Sequence, residues 1–506
     1  IAFNSNGSFE SIRLTNPVPS YANIVISGDN VGTTADGTGA NSFIQFQPNG
    51  SFTVTGAGTF KQSNSFGFSG GASTSISSTN NPTIELLNNS TVEYAGAAQV
   101  ITAFTTTEYK NLRLSGTGIK SLGHPTAVLV GEDLNMVSAT LNIGTGEAIT
   151  VDEGVILTGG NMTIEDSGSL VQINETDTNS GNITMKRNAF IENFDYVYWS
   201  TPVSGFNTDN LFQSTSSNIF YWDPIVSNIP FGGTGQGYWR DASNQPMETG
   251  KGYIAKAPNY SSLTQDETLF NNGVPNNGSL HVTISRGSDN DGLDGDDDDD
   301  DWNLVGNPYP SAISANAFLL ENSVGASAVI AGYIDIWTHG NAPSNISDPF
   351  YENNGGFNYN ENDYVRYNYL GATLQCGPNG VDFSNNPLGY SCFNGHIAAG
   401  QGFMVNMVDG GPVTQNITLF KNAMRSQLYD NSAFFRSSGN VTEQSEEHEE
   451  RHRMWLDLAS ENNGVKRILI GYATNATMER DILYDAKVSN TENTQNFYSI
   501  IDNKSF

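Results

Sequence analysis

Residues 302–313 read WNLVGNPYPSAI. Asn307-Pro308-Tyr309-Pro310 cannot be helical, because each proline lacks a backbone N–H and biases the residue before it towards extended geometry. Trp302, Leu304 and Val305 therefore form a strand that stops at a rigid corner. Residues 196–205, YVYWSTPVSG, share the design: aromatic and β-branched residues, a small polar pair, then Pro202 and a Ser-Gly turn. Each corner is followed by an aromatic strand, FYWD at 220–223 and YIDIW at 333–337. A G-x-G strand comes next, GKGYI at 250–254 and GQGFMV at 400–405. Three landmarks in one order predict an internal duplication. The first copy runs from Pro202 to Gly250 and the second from Pro308 to Gly400, nearly twice as far, so the second carries an insertion.

At 506 residues the chain is long enough for several cores, at roughly 100–200 residues per domain. Lys and Arg number 22 against 53 Asp and Glu, a net charge of −31. Nucleic acid would be repelled, and no basic stripe offers it a footprint. With only 15% charged residues and 53 glycines, the composition favours short strands and tight turns, an all-β chain. Cys376 and Cys392, sixteen positions apart in the second insertion, read as a disulfide of an oxidising compartment, worth about 2–3 kcal/mol; two buried thiols are the alternative. No apolar run of about 18 residues is present to span a membrane as a helix. The start at Ile1, with neither methionine nor leader, is expected of a processed product or a piece of something longer.

Before the first corner the chain is a succession of brief β signals separated by Gly, Asn, Asp and Ser. Between 127 and 173 they run AVLV, TLNI, AITV, VIL, MTI and LVQI. The connections are too short for helices, so each strand reads as one side of a coil in a β-solenoid, parallel β-helix-like; an antiparallel sandwich would allow the same alternation. The chain up to Asn80, rich in Gly, Ser and Phe, fits further coils or a cap. The predicted organisation is a solenoid stalk at 1–185, antiparallel β-sandwich repeats at 186–290 and 291–420, and a C-terminal β segment at 421–506. In that last segment RMWLDL at 453–458 and RILIGY at 467–472 read as a hairpin around an Asn-Gly turn.

From about residue 183 onward the chain resembles large surface proteins that bacteria of the Bacteroidota export by the type IX secretion system. The likeness rests on YVYWSTPVSG, FYWDP at 220–224, GKGYIAKAP at 250–258, WNLVGNPYPSAI, AAGQGFMV at 398–405, NAMR at 422–425 with FFR at 434–436, and RMWLDL with ILIGYATNAT at 468–477. It implies an extracellular location on the outer-membrane surface of a Gram-negative bacterium. It also implies translocon and shuttle partners, reached through a C-terminal sorting domain that would begin about where this sequence halts.

Candidate chemistry is sparse. His448-Glu449-Glu450-Arg451-His452 matches the H-E-x-x-H zinc motif, but its neighbours are almost wholly polar and lead into a strand, so a solvated acidic connector is the competing reading. Asp289, Asp291, Asp294 and Asp296, around Gly292 and Gly295, resemble oxygen-rich loops that wrap Ca²⁺; a self-repelling hairpin tip is the alternative. Aromatics including Tyr238, Trp239, Tyr359, Tyr364, Tyr367 and Tyr369 would stack on sugar rings or pack the insertion onto its own sheet. No G-x-S-x-G elbow or P-loop occurs, and no catalytic residue is assigned. The expected function is a non-enzymatic adhesin or surface-binding scaffold, with glycan or another surface ligand as partner. The competing expectation is a β-helical enzyme acting on polysaccharide, marked by a groove of clustered Asp, Lys or Arg; basic residues are few there, among them Lys110, Arg113, Lys120, Lys186 and Arg187.

Overall fold

The computed structural model describes residues 2–3, 10–12, 20–28, 31–32, 43–191, 195–212, 218–225, 237–258, 260–262, 264–286, 301–325, 328–337, 344–345, 357–358, 364–373, 393–408, 414–432, 452–459, 465–474, 476–487, 497–501 and 504–505. The chain divides into two compact units, Ile1–Lys186 with Phe270–Gly278, and Arg187–Leu269 with Ser279–Phe506. The segments read above as 186–290, 291–420 and 421–506 thus fall largely in one unit.

The first unit is a parallel β-solenoid. One of its sheets stacks seven strands, from Glu10–Ser11 through Thr59–Gln62, Asn111–Leu114 and Leu134–Met136 to Val155–Leu157, marking about seven turns. Val128, Ile149 and Leu170 lie in register, as do Leu141, Met162 and Ile183, so the later coils repeat at one constant interval. All six side chains are buried, each contributing roughly 1.5–3 kcal/mol of transfer free energy. The described residues up to Asn80 form further coils: Ile24 stacks on Phe52 and Phe52 on Ile84, at unequal steps along the sequence. The interior of these coils is filled by edge-to-face Phe46, Phe52, Phe60 and Phe68. Where Phe270–Gly278 returns to this unit, Asn179 Nδ2 donates to Pro275 O (2.9 Å), and Asn277 Nδ2 donates to Asn174 O and Asp177 O (3.1 and 3.0 Å).

The second unit holds the duplication. In the first repeat the corner strand Tyr196–Trp199 pairs with the G-x-G strand Tyr253–Lys256, which pairs with the aromatic strand Ile219–Asp223, which pairs with Tyr238–Asp241. In the second, Trp302–Gly306, Gly402–Met407, Ile330–Trp337 and Tyr364–Asn368 follow the same order, all antiparallel. The registers match residue by residue. Trp199 faces Tyr253 as Val305 faces Phe403; Phe220 faces Ile254 as Asp335 faces Met404; Trp222 faces Trp239 as Trp337 faces Tyr364.

The repeats interlock crosswise. Trp199 bridges Gln401, and its counterpart Val305 bridges Lys251. Ser200 N donates to Gly400 O (2.7 Å) and Gly306 N to Gly250 O (2.9 Å), while Gly252 N donates to Leu304 O (3.0 Å). This approach is why the motif needs glycine: a Cβ on Gly252 would lie 2.5 Å from Leu304 Cγ, and one on Gly402 would lie 3.0 Å from Tyr198 Cβ.

Each corner is locked by its own polar side chain. Asn307 is fully buried; its Nδ2 donates towards Ser311 O, Ile397 O and Ala398 O (2.9, 2.9 and 3.1 Å), and its Oδ1 accepts from Tyr309 N (3.0 Å). Arg425 of the NAMR motif donates to Ser311 Oγ (2.9 Å) with its guanidinium 4.6 Å from the Tyr309 ring; burial pushes its pKa down to about 10. Thr201 plays the smaller part in the first repeat, donating to Val203 O (2.6 Å). Past the second corner comes an α-helix, Ala315–Ser323, capped by Ser314 Oγ accepting from Ala317 N (3.3 Å). The first repeat has the 3₁₀ turn Thr208–Asn210 at that place instead.

The expected C-terminal hairpin pairs His452–Ala459 with Val465–Tyr472. Trp455 Nε1 donates to Ala372 O (3.3 Å) and Arg453 Nη1 to Leu370 O (3.1 Å). No helix among the described residues is long and apolar enough to cross a membrane.

Candidate functional site

Strand alternation puts Tyr198, Trp222, Trp239, Trp337 and Tyr364 into one aromatic cluster within the second unit. Trp222 and Trp239, directly opposite across their strand pair, meet edge-on at 5.0 Å between centroids and 70°. Their counterparts Trp337 and Tyr364 meet at 5.0 Å and 73°. Tyr198 joins the two pairs: its ring stacks on Trp337 (5.6 Å, 22°) and lies 6.3 Å from both Trp239 and Tyr364. Such ring contacts add about 0.5–1.5 kcal/mol each beyond area burial, so the five rings support one another. Tyr198 and Trp337 are 2% and 3% exposed; Trp222, Trp239 and Tyr364 keep part of their surface open to solvent. On the far side of the first sheet Lys251 Nζ sits 4.1 Å from the Tyr221 ring centroid and 3.0 Å from Glu248.

The duplication has diverged on this face. In the second repeat Trp337 Nε1 donates to Tyr196 O (3.0 Å), and the hydroxyls of Tyr364 and Tyr198 share a 2.5 Å hydrogen bond. One row along, Arg366 forms a two-pronged ion pair with buried Asp335 (2.9 and 2.7 Å). Backbone of the C-terminal segment closes over it: Tyr369 N donates to Leu483 O (3.0 Å), Asn368 Nδ2 to Tyr484 O (2.6 Å), and Arg366 to Lys487 O. The matching positions of the first repeat are Phe220 and Asp241, and Asp241 is exposed.

Of the tyrosines expected at a binding loop, Tyr364 belongs to this cluster. Tyr367 points the other way, 6% exposed, its hydroxyl donating to Asn316 Oδ1 (2.9 Å) and its ring edge-on to Phe393; it is core, the packing alternative. Tyr369 packs at 6.3 Å from Tyr484. Tyr359, Cys376, Cys392, Asp289, Asp291, Asp294, Asp296 and His448 lie outside the described residues. His452 opens a strand rather than ending a helical turn. Among the described residues no group of three His, Cys, Asp or Glu side chains could hold a metal ion. In the sequence Trp222 and Tyr198 stand only as landmarks; the insertion between Trp337 and Gly400 hides the match of Trp222 with Trp337, which the strand registers reveal.

The solenoid's cations are engaged separately. Lys110 pairs with Glu108 (2.6 Å), Lys186 with Glu165 (2.9 Å), and Arg113 approaches Glu93 (3.9 Å). Lys120 lies inside the coils, its Nζ donating to Gly96 O, Ala97 O and Gln99 Oε1 (2.6, 2.7 and 2.8 Å). In the second unit Arg187 is buried and donates to Asn431 O (2.8 Å). One solenoid corner gathers carboxylates. Asp152 is raised by burial and then by Glu108, and Glu153 by burial and then by Asp133 and Asp177.

A parallel solenoid followed by a crosswise pair of antiparallel repeats is thus the class of molecule. The chain belongs to the DUF8693 family, described as a domain of unknown function, whose pattern matches residues 126–506 and so takes in the last coils and both repeats. No curated protein and no solved structure matches the chain.

Proposed function

We propose that this chain is a secreted cell-surface protein, cargo of the type IX route, acting as a non-enzymatic binding scaffold in attachment or gliding. The observation that carries the binding role is the preformed aromatic cluster, two edge-on pairs joined through Tyr198 with Trp222 and Trp239 left partly open. The solenoid serves as a spacer. Support for export is the ordered run of corner, G-x-G and NAMR motifs. In the same reading Cys376 and Cys392 close a disulfide outside the cell, and Asp289, Asp291, Asp294 and Asp296 take Ca²⁺, which would raise the melting temperature of the parent but not of the D291N/D294N variant.

The test is surface labelling of intact cells together with attachment of purified protein to those cells. Expected results are loss of surface label when the type IX translocon is disrupted, and loss of attachment in Trp239→Ala. Unchanged label in the disrupted strain would refute the export route. The raised carboxyls of Asp152 and Glu153 favour a second reading, a β-helical enzyme acting on polysaccharide. Release of reducing ends by the parent, abolished in Asp152→Asn, would establish it over the first.

A further inference from the structure

We propose that the Trp222–Trp239 pair of the first repeat, with Asp241 beside it, is the subsite for an uncharged sugar ring; this rests on the binding-scaffold reading above. The duplication supplies the internal comparison. At the second repeat's equivalent place the polar groups are committed within the protein: the Trp337 N–H to Tyr196, the Tyr364 hydroxyl to Tyr198, and Arg366 to Asp335 beneath covering backbone.

The first repeat keeps the aromatic geometry but leaves one indole N–H and one carboxylate oxygen uncommitted. Trp222 Nε1 is a buried donor with no hydrogen-bond partner among the described residues, a state that costs free energy until an acceptor arrives. The Gly237 backbone lies against that indole, and a Cβ there would come within 2.5 Å of it, so no side chain of the neighbouring strand covers that part of the ring. Trp239 stands partly open opposite. Asp241, two residues along the same strand and hence on the same face, takes both bonds from Ser243 on Oδ1 (3.2 and 2.6 Å), leaving Oδ2 for another donor. Those bonds hold its carboxyl below the usual range, so it stays an ionised acceptor.

A pyranose has the complementary make-up: an apolar C–H face for the Trp239 ring, and rim hydroxyls that both accept, from the indole, and donate, to the carboxylate. An acidic sugar meets Asp241 and a net charge of −31, which selects an uncharged ring.

The experiment is calorimetric titration of the full chain with uncharged gluco-, xylo- and chito-oligosaccharides, and with oligogalacturonate as the anionic comparison. Near-UV circular dichroism monitors the fold of each variant. At least one uncharged oligosaccharide should bind, with Kd of about 10 μM to 1 mM. Trp239→Ala should weaken it at least about tenfold, and Trp222→Phe, which keeps a ring and deletes the N–H, about three- to tenfold. Asp241→Asn should weaken it too, and Trp455→Phe in the C-terminal hairpin should bind as the parent does. Should Trp239→Ala misfold, Trp222→Phe and Asp241→Asn decide the matter. No uncharged ligand, a preference for oligogalacturonate, or parent-like binding by both folded variants would overturn the proposal. If the parent attaches to cells in a Trp239-dependent way yet takes no uncharged sugar, the sugar class falls and the scaffold stands; if it attaches to nothing, both fall.

Discussion

Trp222 and Trp337 are counterparts in a duplicated sheet, and their indole N–H groups have opposite fates. That of Trp337 is bonded to Tyr196 O at 3.0 Å; that of Trp222 is buried with no partner among the described residues. Duplication followed by such divergence leaves one copy's indole bonded within the unit and the other's unmet.

The asymmetry has a stability consequence. Trp337→Phe removes a satisfied buried bond and leaves Tyr196 O short of a donor, so it should cost about 1 kcal/mol or somewhat more, whereas Trp222→Phe, deleting an unmet donor, should be near neutral. Urea titrations of both variants check this. Equal losses would mean that the two indoles are equally engaged.

Close backbone approach makes the crossing intolerant of side chains. A Cβ on Gly306 would stand 2.5 Å from Ser200 Cβ, and one on Gly252 would stand 2.7 Å from Val305 O. Gly306→Ala and Gly252→Ala should each destabilise by about 1–3 kcal/mol or more through overpacking. Gly146→Ala meets open space but sits at φ +70°, so its smaller loss reports backbone strain alone. Chemical denaturation ranks the three.

Asn307 and Thr201 hold equivalent corners with unequal networks. Asn307→Ala removes the donor shared by three buried carbonyls, of which Ala398 O keeps its bond from Gln401 N, and should cost about 2–3 kcal/mol, against about 1 kcal/mol for Thr201→Ala. Thermal unfolding of both variants, with the larger drop at Asn307, is the expected outcome; the reverse order would show that the first corner carries more of the fold.

Burial lowers Lys120 to about 8 from its ordinary 10.5. Between those values the folded chain has lost the proton that the unfolded chain still binds, so this group makes stability rise with pH across that window. Below pH 8 the ammonium is charged in both states and its burial is a penalty, offset by three neutral oxygens. Leu141 and Met162 fill the same ladder position in the next coils, so Lys120→Met should fold and should flatten the rise between pH 8 and 10.5. Parallel urea titrations at several pH values test it; the same slope in parent and variant would contradict it.

The coils between 127 and 173 were readable because inward positions recur at a constant step, Val128 to Ile149 to Leu170, so periodicity and alternation agree. Before Asn80 the step changes, since Ile24 to Phe52 is shorter than Phe52 to Ile84, and a varying period leaves no pattern to find. The corner and G-x-G landmarks showed that there were two copies, but not that each copy's corner strand reaches the other's glycines; that is a pairing between residues far apart in the chain, such as Trp199 with Gln401. The helix Ala315–Ser323 went unread. Ser314 is a proper cap, yet Asn316, Asn322 and Ser323 are poor helix formers, and tertiary packing of Phe318 on Phe403 and Phe420 decides the outcome. Tyr364 and Tyr367 look alike in sequence; strand parity alone sends one to the aromatic cluster and the other to the core.

Hydrogen exchange at the amides of Ser200, Gly252, Gly306 and Asn307 bears most directly on whether the repeats form one interlocked body. The bonds of Ser200, Gly252 and Gly306 to Gly400 O, Leu304 O and Gly250 O cross from copy to copy, and that of Asn307 to Gln401 O anchors the corner beside them. All four should exchange together, at the slow rate set by unfolding of the whole unit. Fast exchange at the three crossing amides while Val197, Ile254, Ile334 and Val405 inside each sheet stay protected would mean that the copies open as separate lobes, and the shared aromatic cluster would go with them.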